Sequence, residues 1–246
     1  MIGFIIVARL GSIRLPGKHL LMLNRRPVIE HIIKRIKINF KDNVKIIIAT
    51  TELRTDDSLD YLSKIKNVRV YRGCPNNIPL RIFKVMTKYV IQKGILIEGD
   101  DVLFSIDGIK QTIKQLNKNH LFTATKGLPL GMNCYGFNRV FFEENSKSFK
   151  NLKNLETAWL RVFKVKPHEI NFNLDNSYEK LRLTLDYKED FELFKIIFEN
   201  FSESIYKSDY SEIGFFLFST GYFSKNNFLN DDYFNNIKKA IIIEDE

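Results

Sequence analysis

The chain has 246 residues, 44% of them hydrophobic and 27% charged, which suits one large α/β domain with an ample core. Its two cysteines, Cys74 and Cys134, form no Cys-x-x-Cys pair, which argues against a disulfide framework or a zinc site and for a reduced, cytoplasmic setting. The formal charge of +9 comes from lysines spread along the whole length, so a solvated surface is expected and no specific nucleic-acid partner.

Gly3–Ala8 is a continuous apolar run, as in a strand covered on both faces. It is too short for a membrane span and lacks a charged leader and a cleavage site; no other segment approaches spanning length, so no membrane partner is expected. A polar, glycine-containing loop follows. Val28, Ile29, Ile32, Ile33 and Ile36 then fall at helical spacing from Pro27 to about Lys37, and Pro27 suits a first turn.

Val44–Thr50 is the second expected strand, Asp56–Lys66 a short helix and Val68–Tyr71 a third strand. Ile78–Ile91 has helical spacing with Pro79 near its start. Ile95–Glu98 is a fourth strand and Ile106–Leu116 a helix. This alternation predicts a mostly parallel, doubly wound sheet. After Leu121 the pattern loosens. Phe122–Thr125 and Cys134–Phe141 read as strands, Leu155–Phe163 as a helix, Leu181–Leu185 as a strand and Asp190–Phe201 as a helix. From Tyr210 the chain is aromatic-rich, and core filling is expected ahead of an oligomer contact.

The segment Ala8-Arg9-Leu10-Gly11-Ser12-Ile13-Arg14-Leu15-Pro16-Gly17-Lys18 follows the first strand. Ligands of open parallel sheets bind outside the carboxyl ends of strands. Gly11 and Gly17 permit close backbone approach, and Ser12 offers a hydroxyl. Arg9, Arg14 and Lys18 supply cations, and guanidinium forks match phosphate oxygens two at a time. Such a set suits a triphosphate. The alternative is a solvated basic loop with two turn glycines. The order Arg-x-x-Ser-x-Arg-x-Pro-Gly-Lys, directly after an apolar strand, favours phosphate. Neither a Walker loop nor a dinucleotide fingerprint is present.

This segment resembles the cytidylyltransferases that make CMP-activated sugar acids, including the Kdo and acylneuraminate enzymes. It is most similar to the branch named for spore-coat polysaccharide biosynthesis. That branch opens with a strand, Ala-Arg-x-x-Ser-x-Arg-Leu-Pro-Gly-Lys, and a helix ending near an Arg, here Lys34-Arg35. Ile48-Ala49-Thr50-Thr51 with Asp56-Asp57 is similar to the family's Ala-Thr-Ser strand end and acidic pair. Arg72-Gly73, with Arg81 downstream, is similar to the stretch that leads to the nucleotide base. Glu98-Gly99-Asp100-Asp101 resembles a Gly-Asp-x-Pro-Leu patch whose Asp binds metal. Leu181–Asp186, followed by Glu189-Asp190, resembles Leu-Arg-x-Thr-Val-Asp-x-x-x-Asp. Asp186 reads either as a second metal ligand or as a helix N-cap, and Asp190 as a first-turn helix charge.

The resemblance spans roughly residues 1 to 200. It implies a Rossmann-like sheet flanked by helices, of the nucleotide-diphospho-sugar transferase type. One nucleotidyltransferase domain would fill residues 1–246, with a nucleotide-binding half at 1–120 and an acceptor and oligomerisation half at 121–246. The implied reaction moves CMP from CTP to a sugar acid with release of pyrophosphate, for surface polysaccharide biosynthesis. Nucleotide contacts would come from Ala8, Arg9, Gly11, Ser12, Arg14, Lys18, Thr50 and Arg81. Catalysis would fall to Arg9, Lys18 and Asp100, and Asp100 and Asp186 would hold magnesium. A homodimer is compatible with the same pattern.

Four patches depart from the branch. Asn76-Asn77-Ile78-Pro79-Leu80 replaces Asp-Asp-Val-Leu, and Val102-Leu103 replaces Pro-Leu. Gly131-Met132-Asn133-Cys134-Tyr135 stands for Gly-x-Asp-x-Glu, and Glu156-Thr157-Ala158-Trp159 is nearest to Glu-His-Val-Thr. They bear mainly on the acceptor. A phosphonate or sugar-phosphate acceptor, or a degraded nucleotide-binding homologue, are the alternatives. His31, His120 and His168 are read as structural or exposed, His19 as a phosphate neighbour, and Trp159 as a core or dimer anchor.

Overall fold

The apolar opening run forms β1 (Ile2–Val7), from which the loop and a small hairpin, β2 (Met22–Leu23) and β3 (Arg26–Pro27), lead into α1 (Val28–Phe40). A computed structural model describes residues 2–40 and 44–245. β4 (Lys45–Thr51) is followed by a 3-10 helix at Arg54–Lys64 and by β5 (Val68–Gly73). Then come α2 (Ile78–Lys88), β6 (Lys93–Glu98), α3 (Ile106–Asn117), β7 (Phe122–Lys126), β8 (Tyr135–Asn138), α4 (Arg139–Glu144) and β9 (His168–Asn171). α5 (Lys188–Phe201), α6 (Tyr210–Thr220) and α7 (Asn230–Asp245) complete the chain.

The main sheet runs β5-β4-β1-β6-β8-β7-β9. β5, β4, β1 and β6 are parallel, β8 is antiparallel to both neighbours, and β9 is parallel to β7. Strand alternation divides the core in two. Phe4, Ile6, Ile46, Ile48, Ile95 and Ile97 pack on the α1, α3 and α5 side, while Ile5, Ile47 and Leu96 meet α2, α4 and an aromatic cluster around Phe137, Phe142 and Phe163. Both faces are covered, which is why these strands read as unbroken apolar runs.

Three expectations change in the second half. The Cys134–Phe141 run ends as a strand at Asn138, whose side chain accepts from Val140 N and starts α4, so Phe141 is helical. Leu155–Phe163 contains only a 3-10 turn at Trp159–Val162, entered through Ala158 at φ 44°. Leu181–Leu185 is extended but joins no ladder. Leu183 N donates to Leu130 O at 2.7 Å and Leu185 N to Asp100 O at 3.0 Å, so loops take up its hydrogen bonds instead of a strand. Beyond Tyr210, α6 buries Ile213 and Leu217 in the core, whereas α7 has no buried residue. No described helix is long and apolar enough to cross a membrane.

Arg35 ties α1 to the chain on either side of it in space. Its side chain is buried, and it donates to Phe104 O twice at 3.1 Å, to Ile205 O at 2.5 Å and to Ser208 O at 2.7 Å. Burial pushes its pKa down to about 10, which leaves it charged at neutral pH. Arg35→Leu orphans three carbonyl groups. We expect it to lower unfolding free energy by roughly 2–4 kcal/mol, read from the urea midpoint at constant m-value.

Candidate active site

Val7 at the end of β1 lies beside Ala49 of β4 and Glu98 of β6, so the loop that follows leaves from the carboxyl edge of the parallel strands. One carboxylate fixes the loop's root. Asp56 accepts from Leu10 N at 2.8 Å, Thr50 Oγ1 at 3.1 Å, Thr51 N at 3.2 Å and Thr51 Oγ1. Burial pushes the Asp56 carboxyl up, but these donors outweigh it and hold it below its usual range. Further along, Gly17 adopts φ 63°, and its amide bonds to Leu10 O at 3.3 Å. That left-handed turn favours glycine and precedes the single turn carrying Lys18 and His19.

Lys18 points inward. Its Nζ lies 2.5 Å from Asp100 Oδ2 and 3.0 Å from Asp186 Oδ1, and Arg14 Nη2 lies 2.6 Å from the same Asp186 oxygen. Burial alone would push Lys18 down, yet the two carboxylates outweigh it and raise its pKa. Asp186 is pushed up by burial and, more strongly, held below its usual range by Lys18 and Arg14. Glu98 opens onto the same cleft. The surrounding protein and then Asp100 push its carboxyl up to about 7, and burial with Asp100 and Glu98 raises Asp101 well above the carboxylate range.

Asp186 is held by a buried frame. Asp190 accepts from Arg182 Nε at 2.8 Å and Nη2 at 3.0 Å, and from the amides of Asp186 and Tyr187 at 2.9 Å each. Asn226 Nδ2 adds bonds to Asp190 and to Arg182 O, both at 2.9 Å. Asp190 is therefore a buried anchor as well as a first-turn charge. The N-cap of α5 is Tyr187, which leaves the Asp186 side chain to Lys18 and Arg14, with Arg182 Nη2 3.6 Å from its other oxygen. Gly131, at φ 89°, abuts the backbone of Leu183, where a Cβ would lie 2.4 Å from that residue's carbonyl.

A cavity of about 550 Å³ opens over this cluster. Ser12, Arg14, Lys18, Asp100 and Asp186 line it, together with Arg9, Arg81, Glu156 and Thr157 and one face of α7. Arg9 Nη1 lies 3.1 Å and Arg81 Nη2 2.7 Å from the two oxygens of Glu156. The Arg81 side chain has no exposed surface and stands behind Glu156. Burial pushes Glu156 up to about 7 against the pull of Arg81 and Arg9.

Of the residues singled out in the sequence, Arg9, Gly11, Ser12, Arg14, Lys18, Arg81, Asp100 and Asp186 line this one cavity. Ala8 and Thr50 do not. Ala8 is core, and the buried Thr50 hydroxyl is used on Asp56. Glu156 was signalled only as the nearest match to a family patch, and nothing in the sequence pointed to the α7 face.

His31 is buried between Tyr206 Oη at 2.7 Å and Leu23 O at 2.8 Å, and His120 stacks on His168 at 3.8 Å. Trp159 packs in the core beside Phe137 and Phe163.

The residues present fit a divalent cation. Asp100 and Asp186 converge on one point, now held by the Lys18 ammonium. Among the described residues no group of three or more His, Cys, Asp or Glu forms a metal cage. Magnesium needs none, since one or two carboxylates with phosphate oxygens and water suffice.

A parallel sheet, a basic loop at its carboxyl edge and two facing aspartates define a nucleotidyltransferase. The family model for cytidylyltransferases matches residues 3–204, and the chain belongs to that family. An uncharacterized protein of Methanocaldococcus jannaschii is 31% identical over 203 residues, covering 77% of this chain and 80% of the relative. The spore coat polysaccharide biosynthesis protein SpsF of Bacillus subtilis is 26% identical over 211 residues, covering 81% and 87%. A cytidylyltransferase structure from Leptospira borgpetersenii shares the fold with a TM-score of 0.77 at 22% identity, covering 92% of this chain and 97% of that one.

His19 lies on the cavity floor, and its Nδ1 is 2.9 Å from Gly99 O. A carbonyl only accepts, so Nδ1 carries the proton. Burial, then Lys18, push the imidazole down to about 4. A depressed folded pKa stabilises above the unfolded value of 6.5 and is lost as pH falls through about 4. We expect the His19 ring to stay neutral down to about pH 4 in an NMR titration. The urea midpoint of His19→Asn should fall less than that of the wild type between pH 6.5 and 4.

Proposed function

We propose that this cytidylyltransferase joins the CMP part of CTP to a sugar acid, in the cytoplasm, for a surface polysaccharide. The observation that carries this reading is the Lys18 ammonium shared between Asp100 and Asp186, with Arg14 on the same carboxylate. Phosphate oxygens and a metal ion would each find a partner in that cluster. Family membership supports CTP, the SpsF relative supports a polysaccharide precursor, and two free cysteines suit a reducing compartment.

In this reading Arg9, Ser12, Arg14 and Lys18 bind and orient the triphosphate. Lys18 and Arg14 turn from carboxylate to phosphate oxygens, which frees Asp100 and Asp186 to hold magnesium. When bound, magnesium offsets the charge that builds on pyrophosphate. The acceptor hydroxyl oxygen bonds to the α-phosphorus, the bond to the bridging oxygen breaks, and pyrophosphate leaves with that electron pair. The hydroxyl proton passes to solvent. Positioning and charge stabilisation carry the rate, without a covalent protein nucleophile.

CTP with magnesium should raise the melting temperature more than ATP, GTP or UTP. At a hundred times its dissociation constant a ligand adds about 2.7 kcal/mol. Equal shifts from all four would remove the cytidine assignment. Lys18→Ala should weaken CTP binding with or without metal. Asp100→Asn should keep metal-free binding but lower magnesium-dependent pyrophosphate release, across a panel of sugar acids, by about a hundredfold or more. Normal turnover by Asp100→Asn would show that the metal assignment is wrong.

A further inference from the structure

α7 lies beyond residue 204, where the match to the family model ends, and its face of Tyr233, Asn236, Ile237 and Ala240 forms a wall of the cavity. The spacing of these four residues is that of one helical face. The rest of the helix is weakly anchored. It buries no residue and leaves Phe234, Ile242 and Ile243 exposed.

Several of its attachments are to segments that build or flank the site. At its C-terminal end, Glu244 accepts from Thr157 N at 2.8 Å, and Glu244 and Asp245 pair with Arg161 at 3.1 and 2.9 Å. Near its start, Asn236 donates to Tyr187 Oη at 3.1 Å. The Tyr233 ring meets two guanidinium groups, Arg182 at 4.8 Å and Arg14 at 5.6 Å. Tyr187 lies against the same two cations at 5.3 Å each.

This packing leaves Arg14 free to act. A guanidinium presents its flat face to an aromatic ring and its N–H groups in the plane, so a ring contact and an oxyanion contact can coexist. Arg14 already donates to Asp186 while its guanidinium carbon lies 5.6 Å from the Tyr233 ring centre. The same geometry serves a phosphate oxygen once the carboxylate turns elsewhere.

We propose that Tyr233 of α7 is a positioning residue for the triphosphate, holding Arg14 through its ring and thereby coupling the seating of α7 to nucleotide binding. This rests on the nucleotide reading above. Weakly anchored helices open locally at low free-energy cost. A ligand that draws on Arg14, Tyr187 and the Glu156–Thr157 loop together favours the seated state. Coupling is reciprocal, so loosening α7 weakens the nucleotide by the same factor.

Magnesium–CTP binding by calorimetry tests this, together with amide hydrogen exchange of residues 230–245. Tyr233→Leu should weaken binding about three- to thirtyfold, the range of a cation–ring contact between exposed and desolvated settings. Tyr233→Phe, which retains the ring, should recover most of that loss. In the wild type, exchange across α7 should slow several-fold when magnesium–CTP is added. Binding by Tyr233→Leu within twofold of the wild type, or equal losses in the Leu and Phe variants, would overturn the role of the ring. Unchanged α7 exchange in the wild type would overturn the coupling, and this measurement needs no variant to fold. If the wild type binds no nucleoside triphosphate, the nucleotide reading falls and this proposal with it. If CTP binds and α7 stays indifferent, only the present proposal falls.

Discussion

A buried ammonium facing two carboxylates organises this molecule. Lys18 reaches Asp100 across 82 residues of sequence and Asp186 across 168, so three distant segments converge on one ammonium. Arg14 and Arg182 also pair with Asp186, so the charges form a network in which losing one partner leaves the rest only partly compensated. The fold and the site are therefore set by the same contacts. The β1 loop, the end of β6 and the Leu181–Asp186 stretch meet there, and Leu185 N binds Asp100 O directly. The cluster also stores opposite charges side by side. A phosphate chain with a cation can separate them without stranding either, which makes a resting site of this kind suited to a charged substrate.

The first four strands of the parallel region and the basic loop Arg9–Lys18 at their carboxyl edge were legible in the sequence, for separate reasons. Coverage on both faces writes each strand as an apolar run, and the loop is an ordered string of cations and glycines that few other functions need. Leu181–Leu185 carried a strand-like pattern too, and the misreading is instructive. Its apolar alternation is real, since Leu181, Leu183 and Leu185 are all core, but its amide groups bind Leu130 and Asp100 instead of a neighbouring strand. Alternation reports which side is buried and says nothing about who accepts the hydrogen bonds. The stretch behaves as a bracket that delivers Asp186.

Residue type was a weaker guide than position. Thr50 and Arg81 both looked like ligand contacts, yet Thr50 serves the carboxylate that roots the loop, and Arg81 lines the cavity with Nη2 held by Glu156. Asp190 looked like a helix charge and is a buried anchor whose two oxygens serve Arg182, Asn226 and two backbone amides. Direction and burial decide such roles, and neither is encoded in the local pattern. The same holds for α7. It packs on the site from more than forty residues beyond Asp186 and carries no motif, so only tertiary structure brings Tyr233 to Arg14.

The departures from the family pattern are better weighed by where they sit than by their number. Val102 and Leu103 are buried core residues outside the cavity lining. Asn77 caps α2 through Leu80 N and ties down the carbonyls of Phe149 and Leu152, so it braces the chain behind the cavity. Gly131 gives room to the Leu183 backbone, and Asn133 binds the carbonyls of Leu128 and Pro129. From these patches only Ile78 and the Glu156–Ala158 segment reach the cavity wall. Of these, Glu156 gathers Arg9 and Arg81. Most of the departing residues therefore fill or brace the structure behind the cavity, and among them Glu156 sets the charge on its wall, between two arginines.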